Sequence, residues 1–226
     1  MILKQLPSKN FSTLTNGQPK EHKKVAIMLH STVGSLASAK SWLTMTPDER
    51  FARYGTKSWS SAHIIAGRTK GDIYQLMPFQ YRAWHGGGVN RRTQRALDII
   101  GQGDPNNLCI GYEFVNYYDI DKDGLLEEEE KMISEGQYQD FIDFIDHLEE
   151  LSKNNPWLEI TADADHILTH FDTNKHKPNM EKIREEIIRR LDARKEVTEV
   201  EQPKHANCLQ DLSITDLVKE ILRRIS

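Results

Sequence analysis

The apolar positions of this chain alternate between short strand-like runs and longer helical stripes. A first run over residues 25–29, VAIML, predicts a buried strand. Behind His30 the string STVGSLASAKSWL passes through Gly34 into a helical stretch with Leu36, Ala39 and Leu43 on one face. Residues 61–66 and 73–77 are strand-like runs joined by the polar turn GRTKGD. They predict a hairpin with Gly71 in the turn and Pro78 ending its second strand. The stretch 90–107 is polar and broken by Gly101, Gly103 and Pro105, so it predicts a long excursion in which RRTQRALDII forms one helical piece. A buried strand follows over 108–115, then a helix over 137–151 with Tyr138, Phe141, Ile145, Leu148 and Leu151 at helical spacing. A strand over 166–169 and a helix over 180–194, striped by Ile183, Ile187 and Leu191, complete the pattern.

Strands and helices in this order predict an α/β fold, a mixed central β-sheet flanked by helices. The pattern lapses in RKEVTEVEQPKHAN, and residues 214–225 then form a short amphipathic helix with Leu217, Val218, Ile221 and Leu222, expected to dock on the main domain. The organisation expected is an N-terminal extension over 1–23, a main domain over 24–195, and a linker with a C-terminal helical tail over 196–226.

Composition narrows the function. A chain of 226 residues builds a full core without disulfide staples, and a net charge of -4 argues against a general nucleic-acid binder, which needs a clearly basic face. Cys109 and Cys208 are far apart in dissimilar surroundings, so they form neither a metal knuckle nor a disulfide framework and are expected as free thiols. The N-terminus, MILKQLPSKNFSTLTNG, lacks a continuous apolar region and a small-residue cleavage site, and no segment approaches a membrane span. The expected location is cytoplasmic, or outside the cell after lysis or by a non-standard secretion route.

Three of the apolar runs each deliver one polar residue suited to metal or proton chemistry: His30, Glu113 and His170, with Lys177 soon after the last. A polar group among aliphatic neighbours costs free energy unless something satisfies it, so three such placements ask for a shared site. A hydrolytic metal centre fits them, because catalytic zinc takes three protein ligands and leaves a fourth position for water. Alone, each histidine is more often a hydrogen-bonded structural residue, Glu113 a salt-bridged strand glutamate and Lys177 a solvated loop lysine. Trp84 and His85, followed by three glycines, form a further motif: an indole and an imidazole beside backbone that a ligand can approach closely. His63 either faces the same site or is a core histidine satisfied by backbone.

The segment SSAHIIAGRTKGDIYQLMPFQYRAWHGG, together with VAIMLHST, IGYEFVN and THFDTNKHKPN in that order along the chain, resembles the zinc-dependent N-acetylmuramoyl-L-alanine amidases of type 2, which share a fold with peptidoglycan recognition proteins. The likeness runs from about residue 24 to 191. It implies a hydrolase that cuts the amide between N-acetylmuramic acid and the L-alanine of the stem peptide, with peptidoglycan or muropeptides as partners. It makes His30 and His170 zinc ligands, Glu113 the residue that helps activate water, and Lys177 the stabiliser of the developing oxyanion. Trp84 and His85 fall at the edge of the substrate pocket. The chain departs from the family at the third ligand, an aspartate or cysteine two positions after the lysine, where it has Asn179. An amide oxygen is a poorer zinc donor than a carboxylate or thiolate, and Asn179 equally suits the N-cap of the helix MEKIREEIIRRL. His176 is the second candidate and Asp172 a further one. A lost metal would leave the alternative function, a non-catalytic peptidoglycan- or muropeptide-binding module of the same fold.

One motif falls outside this resemblance. The string DIDKDGLLEEEE over 119–130 places Asp119, Asp121 and Asp123 at the first, third and fifth positions of a calcium-loop template, the Leu125 carbonyl at the seventh and Glu130 at the twelfth. Calcium at this loop is weighed against a solvated acidic loop, because a strand and not a helix precedes it. Zinc and calcium are therefore the cofactors expected.

Overall fold

A computed structural model describes residues 1–201 except 13, 16–17, 20, 33, 117–131, 161–163 and 178–179. The calcium-loop candidates Asp119, Asp121, Asp123, Leu125 and Glu130, the candidate ligand Asn179, and the expected C-terminal helix lie outside the described residues. The chain divides into two compact units, Met1–Ile188 and Arg189–Ser226. The described part of the second unit is the continuation of the last helix.

Elements run in the order β1 (Lys4–Gln5), β2 (Phe11–Ser12), β3 (Leu14–Thr15), β4 (Gln18–Pro19), β5 (Ala26–Thr32), α1 (Leu36–Thr44), α2 (Pro47–Tyr54), β6 (Ile64–Ala66), β7 (Ile73–Gln75), β8 (Arg82–Ala83), α3 (Gln94–Ile100), α4 (Pro105–Leu108), β9 (Cys109–Val115), α5 (Glu135–Ser152), β10 (Ile167–Thr169) and α6 (Glu181–Glu201). Six strands form the central sheet in the order β1-β7-β6-β9-β5-β10. Only β6 and β7 pair antiparallel, as the hairpin expected across GRTKGD; the other neighbours are parallel. The sheet is mixed and flanked by helices, as the periodicities required.

Alternation along the strands sorts side chains onto two faces. On β9, Ile110, Tyr112 and Phe114 point one way, where Tyr112 and Phe114 meet Phe141 and Phe144 of α5. Cys109, Gly111 and Glu113 point the other way, onto the face where Cys109 joins Ala26, Met28, Ala96, Ile100 and Leu168 in a cluster under α3. A second cluster on Ile65 and Val115 packs beneath Ala39 and Leu43 of α1.

α5 begins with a capping box, Ser134 with Gln137. The buried Gln137 amide donates to the carbonyls of Ala66 and Val115 at 3.0 and 3.1 Å, satisfying two strand ends that have run out of ladder partners. Asp140 accepts from the Gly71 N–H at 2.8 Å, so the same helix fixes the hairpin turn. Gly71 has φ +82°, the left-handed region a glycine enters without strain.

Candidate active site

Three adjacent parallel strands end at one place. His30 sits in β5 directly opposite Glu113 in β9, and His170 follows the last residue of β10 on the other side of β5. The rule that ligands bind beyond the carboxyl ends of parallel strands places a site here. His30 is 5% exposed and His170 7%, and the Glu113 side chain is 12% exposed. The imidazoles of His30 and His170 meet edge to face, with ring centres 4.5 Å apart and planes inclined at 67°. The Glu113 Oε1 lies 4.0 Å from the His30 Nδ1. These three residues and Lys177 line a cavity of about 270 Å³.

Burial decides the charge states. His30 is held well below the ordinary imidazole pKa, first by loss of hydration and then by the charges His170, His85 and Lys177 could place beside it. His170 is lowered to about 4 by burial and by Lys177. Both rings are therefore neutral near pH 7, the form a metal binds. The His170 Nε2–H donates to the Gly86 carbonyl at 3.0 Å, which leaves its Nδ1 with the lone pair. Gly86 is held for this by Asn106, whose Oδ1 accepts from its N–H at 2.7 Å. A Cβ on Gly86 would fall 2.7 Å from Pro105 Cγ, so the close approach needs glycine. Glu113 moves the other way: burial pushes its carboxyl up to about 7, against the opposing pull of Lys177. A carboxylate with that proton affinity both takes and returns a proton near neutrality.

Two neutral imidazoles with a carboxylate beside them are a partial zinc donor set. Among the described residues no group of three or more His, Cys, Asp or Glu is arranged to hold a metal ion. The position expected to supply a third ligand, 179, lies outside those residues.

A sequence profile of the type 2 N-acetylmuramoyl-L-alanine amidases matches residues 21–181. The chain belongs to this family. The amidase is thus a hydrolase acting on cell-wall peptidoglycan, a family generally dependent on zinc. No curated protein sequence matches it. Among solved structures it is similar to PlyL, at 14% identity over 84% of this chain and 97% of that one with a TM-score of 0.51. It is also similar to the PlyG catalytic domain, at 14% identity over 85% and 94% with a TM-score of 0.50. At such identities the likeness establishes the fold alone.

The remaining expected residues divide. Trp84 lines the amidase cavity, its backbone N–H donating to Ser61 Oγ at 2.9 Å and its ring lying 4.3 Å from the Arg82 guanidinium carbon. Lys177 lines it from an exposed loop. His85 touches the cavity, yet both its ring nitrogens are taken, by His30 at 3.0 Å and by the Cys109 carbonyl at 3.2 Å, so it has no free polar handle for a substrate. His63 does not line the cavity: its Nδ1 accepts from the Gly111 N–H at 3.0 Å and its Nε2–H donates to Tyr81 O at 2.9 Å. His176 is exposed and away from the cavity. Asp172 is also committed elsewhere, accepting from the Thr169 N–H at 2.8 Å, from Thr93 Oγ1 at 2.6 Å and from Arg95. Cys109 is a buried free thiol, pushed up to about 12 by burial and so unreactive.

Sequence reading missed Trp59 and gave Ser60 and Ser61 no place in the site. Ser60 and Ser61 line the amidase cavity, and Ser60 and Trp84 also border a neighbouring cavity of about 560 Å³ whose wall includes the exposed Trp59. The buried Arg50 holds the segment by donating to the carbonyls of Ser58, Ser60 and Trp42. A tryptophan among serines without strand or helix periodicity was the available signal.

Among the described residues no helix is long and apolar enough to cross a membrane.

Proposed function

We propose that the protein hydrolyses the amide between N-acetylmuramic acid and the L-alanine of the stem peptide, with zinc held by His30 and His170 and a third ligand at position 179. The observation that supports this best is the meeting of two neutral imidazoles, a carboxylate of raised proton affinity and a lysine at one small cavity. When bound, zinc supplies Lewis acidity and brings the pKa of water towards neutrality.

The protein's own groups do the rest. Glu113 accepts a proton from water as its oxygen bonds to the amide carbon, and general base action of this kind contributes about 10²–10⁴-fold. The Lys177 ammonium faces the carbonyl oxygen as negative charge develops there. When the C–N bond breaks, Glu113 returns the proton to the departing alanine nitrogen. The products are the lactyl carboxylate and a peptide with a free amino terminus. Trp84 walls the cavity, excluding water from one side of the amide.

The test is to assay metal content, then incubate the protein with muropeptides and detect free stem peptide by mass spectrometry. Stoichiometric zinc and peptide release are expected, with both lost in His30→Ala and only turnover lost in Glu113→Gln. Binding of muropeptide without release by the zinc-loaded protein would overturn the assignment.

A further inference from the structure

His85 has both ring nitrogens committed inside the protein, and the reaction as derived gives it no task. We propose that His85 is a positioning residue that fixes the tautomer and direction of His30, so that His30 presents its Nδ1 lone pair to the cavity. This rests on the metal site proposed above and assigns a residue to its support.

The assignment follows from hydrogen-bond polarity. The Cys109 carbonyl oxygen can only accept, so the His85 Nε2, 3.2 Å away, carries its hydrogen. A neutral imidazole carries a single N–H, and the Cys109 carbonyl claims it, so the His85 Nδ1 has the lone pair and accepts. The partner at 3.0 Å, the His30 Nε2, must then donate. A neutral His30 with its hydrogen on Nε2 leaves the lone pair on Nδ1, the atom that faces Glu113. The same Cys109 carbonyl also accepts from the Lys24 Nζ at 3.3 Å, so the fixed end of the chain is doubly engaged.

Space gives a second, independent support. A Cβ on Gly111 would lie 2.6 Å from the His85 Cγ and 3.0 Å from its Nδ1. The ring therefore lies flat on backbone, a seat that exists because residue 111 lacks a side chain. Orienting partners of this kind are worth about 10–100-fold in metal affinity.

The alternative state explains why a lock is needed. Without an acceptor at His85, the buried Nε2–H of His30 loses its partner. Moving the hydrogen to Nδ1 would let it donate to Glu113, 4.0 Å away, after a small rotation. That exchange would remove the ligand lone pair and occupy the catalytic carboxylate at once.

Two measurements on the full-length protein test this. Long-range ¹H–¹⁵N correlation of the metal-free protein, with the His30 ring assigned through His30→Gln, reads the tautomer; competition with a chromophoric chelator reads the zinc dissociation constant. The wild type is expected to carry the hydrogen on Nε2. His85→Ala is expected to shift it towards Nδ1 and to weaken zinc binding about 10–100-fold. His85→Asn, whose amide oxygen falls near the lost Nδ1, is expected to recover most of that affinity. A wild-type His30 with its hydrogen on Nδ1 overturns the proposal, and so does a His85→Ala protein with the wild-type tautomer and zinc affinity. The wild-type spectrum decides even if His85→Ala fails to fold. Should no form bind zinc, the metal-site reading fails, while the tautomer still decides the role of His85.

Discussion

Glu113→Gln should stabilise the metal-free protein at high pH while abolishing turnover. The folded state holds the Glu113 carboxyl at about 7, against an ordinary value of 4.5, because burial disfavours its charge. A group whose folded pKa is raised contributes stability that is fully present below the unfolded pKa and is lost as pH rises through the folded one. At about 1.4 kcal/mol for each tenfold change in proton affinity, the full loss amounts to about 3 kcal/mol. Glutamine has nearly the same shape and stays neutral, so it escapes that loss. The assay is calorimetry with chelator present, comparing wild type and variant from pH 4 to pH 8.5. The difference in stability should be constant below about pH 4.5, grow through pH 7, and level off near 3 kcal/mol above about pH 8. For a domain of this size that corresponds to roughly 6–12 °C in melting temperature. A difference that stays flat across the range, or shrinks with rising pH, would show that Glu113 is well hydrated and would remove the argument for it as a base tuned near neutrality.

Three further outcomes follow. Lys177 pulls the Glu113 pKa down, so Lys177→Met should move the acid limb of the kcat/KM profile to higher pH, in addition to a fall in kcat of about 10²–10³-fold from lost oxyanion stabilisation; an unmoved limb would separate the two residues. Burial pushes Asp172 up, but hydrogen bonds from Thr93 and Thr169 and the charge of Arg95 outweigh it and hold the carboxyl below its ordinary value. Its stabilisation is therefore present above the unfolded pKa and lost as pH falls, and Asp172→Ala should cost about 1–3 kcal/mol in urea titrations at pH 7 by leaving the buried Thr169 N–H without its acceptor, while Arg95 keeps Glu181. Calcium bound by the 119–130 loop should raise the melting temperature of zinc-loaded protein over that in a calcium-selective chelator, and equal midpoints would assign the loop to solvent.

The strands that carry the site were legible because their apolar runs are short and each delivers one misplaced polar residue, at the end of the run for His30 and His170 and within it for Glu113. Hydropathy marks His30, Glu113 and His170 by the same anomaly, and the fold explains it by bringing the ends of three neighbouring strands together. Helix α2 was not read because TPDERFARY has too few apolar positions for a stripe; its signal was the capping box of Thr46 and Glu49 with Pro47 between them. Strand β1 has two exposed residues, Lys4 and Gln5, and joins the sheet by backbone bonds to β7, which no side-chain pattern encodes. The roles of His63 and His85 depend on which backbone and side-chain atoms lie within hydrogen-bond reach of each ring nitrogen, a property of contacts 18 to 55 residues apart in sequence.

The arrangement also shows how the sheet tolerates its site. The face beneath the cavity carries a series of costly groups: His30, Glu113, His63, His85 and the fully buried Lys24, whose ammonium burial lowers to about 7. Among the described residues these groups rely on carbonyls, on one another and on neutrality. The opposite face of β9 compensates, with Tyr112 and Phe114 packed on Phe141 and Phe144 at ring separations of 4.9 to 5.7 Å. Because successive residues of one strand serve the two faces, a one-residue slip of β9 would put the aromatics under the cavity and the polar groups under α5. Stability and chemistry thus constrain the same register. Large-to-small changes at Phe141 or Phe144 should therefore disturb the His30–Glu113 pairing through β9, although neither aromatic lines the cavity.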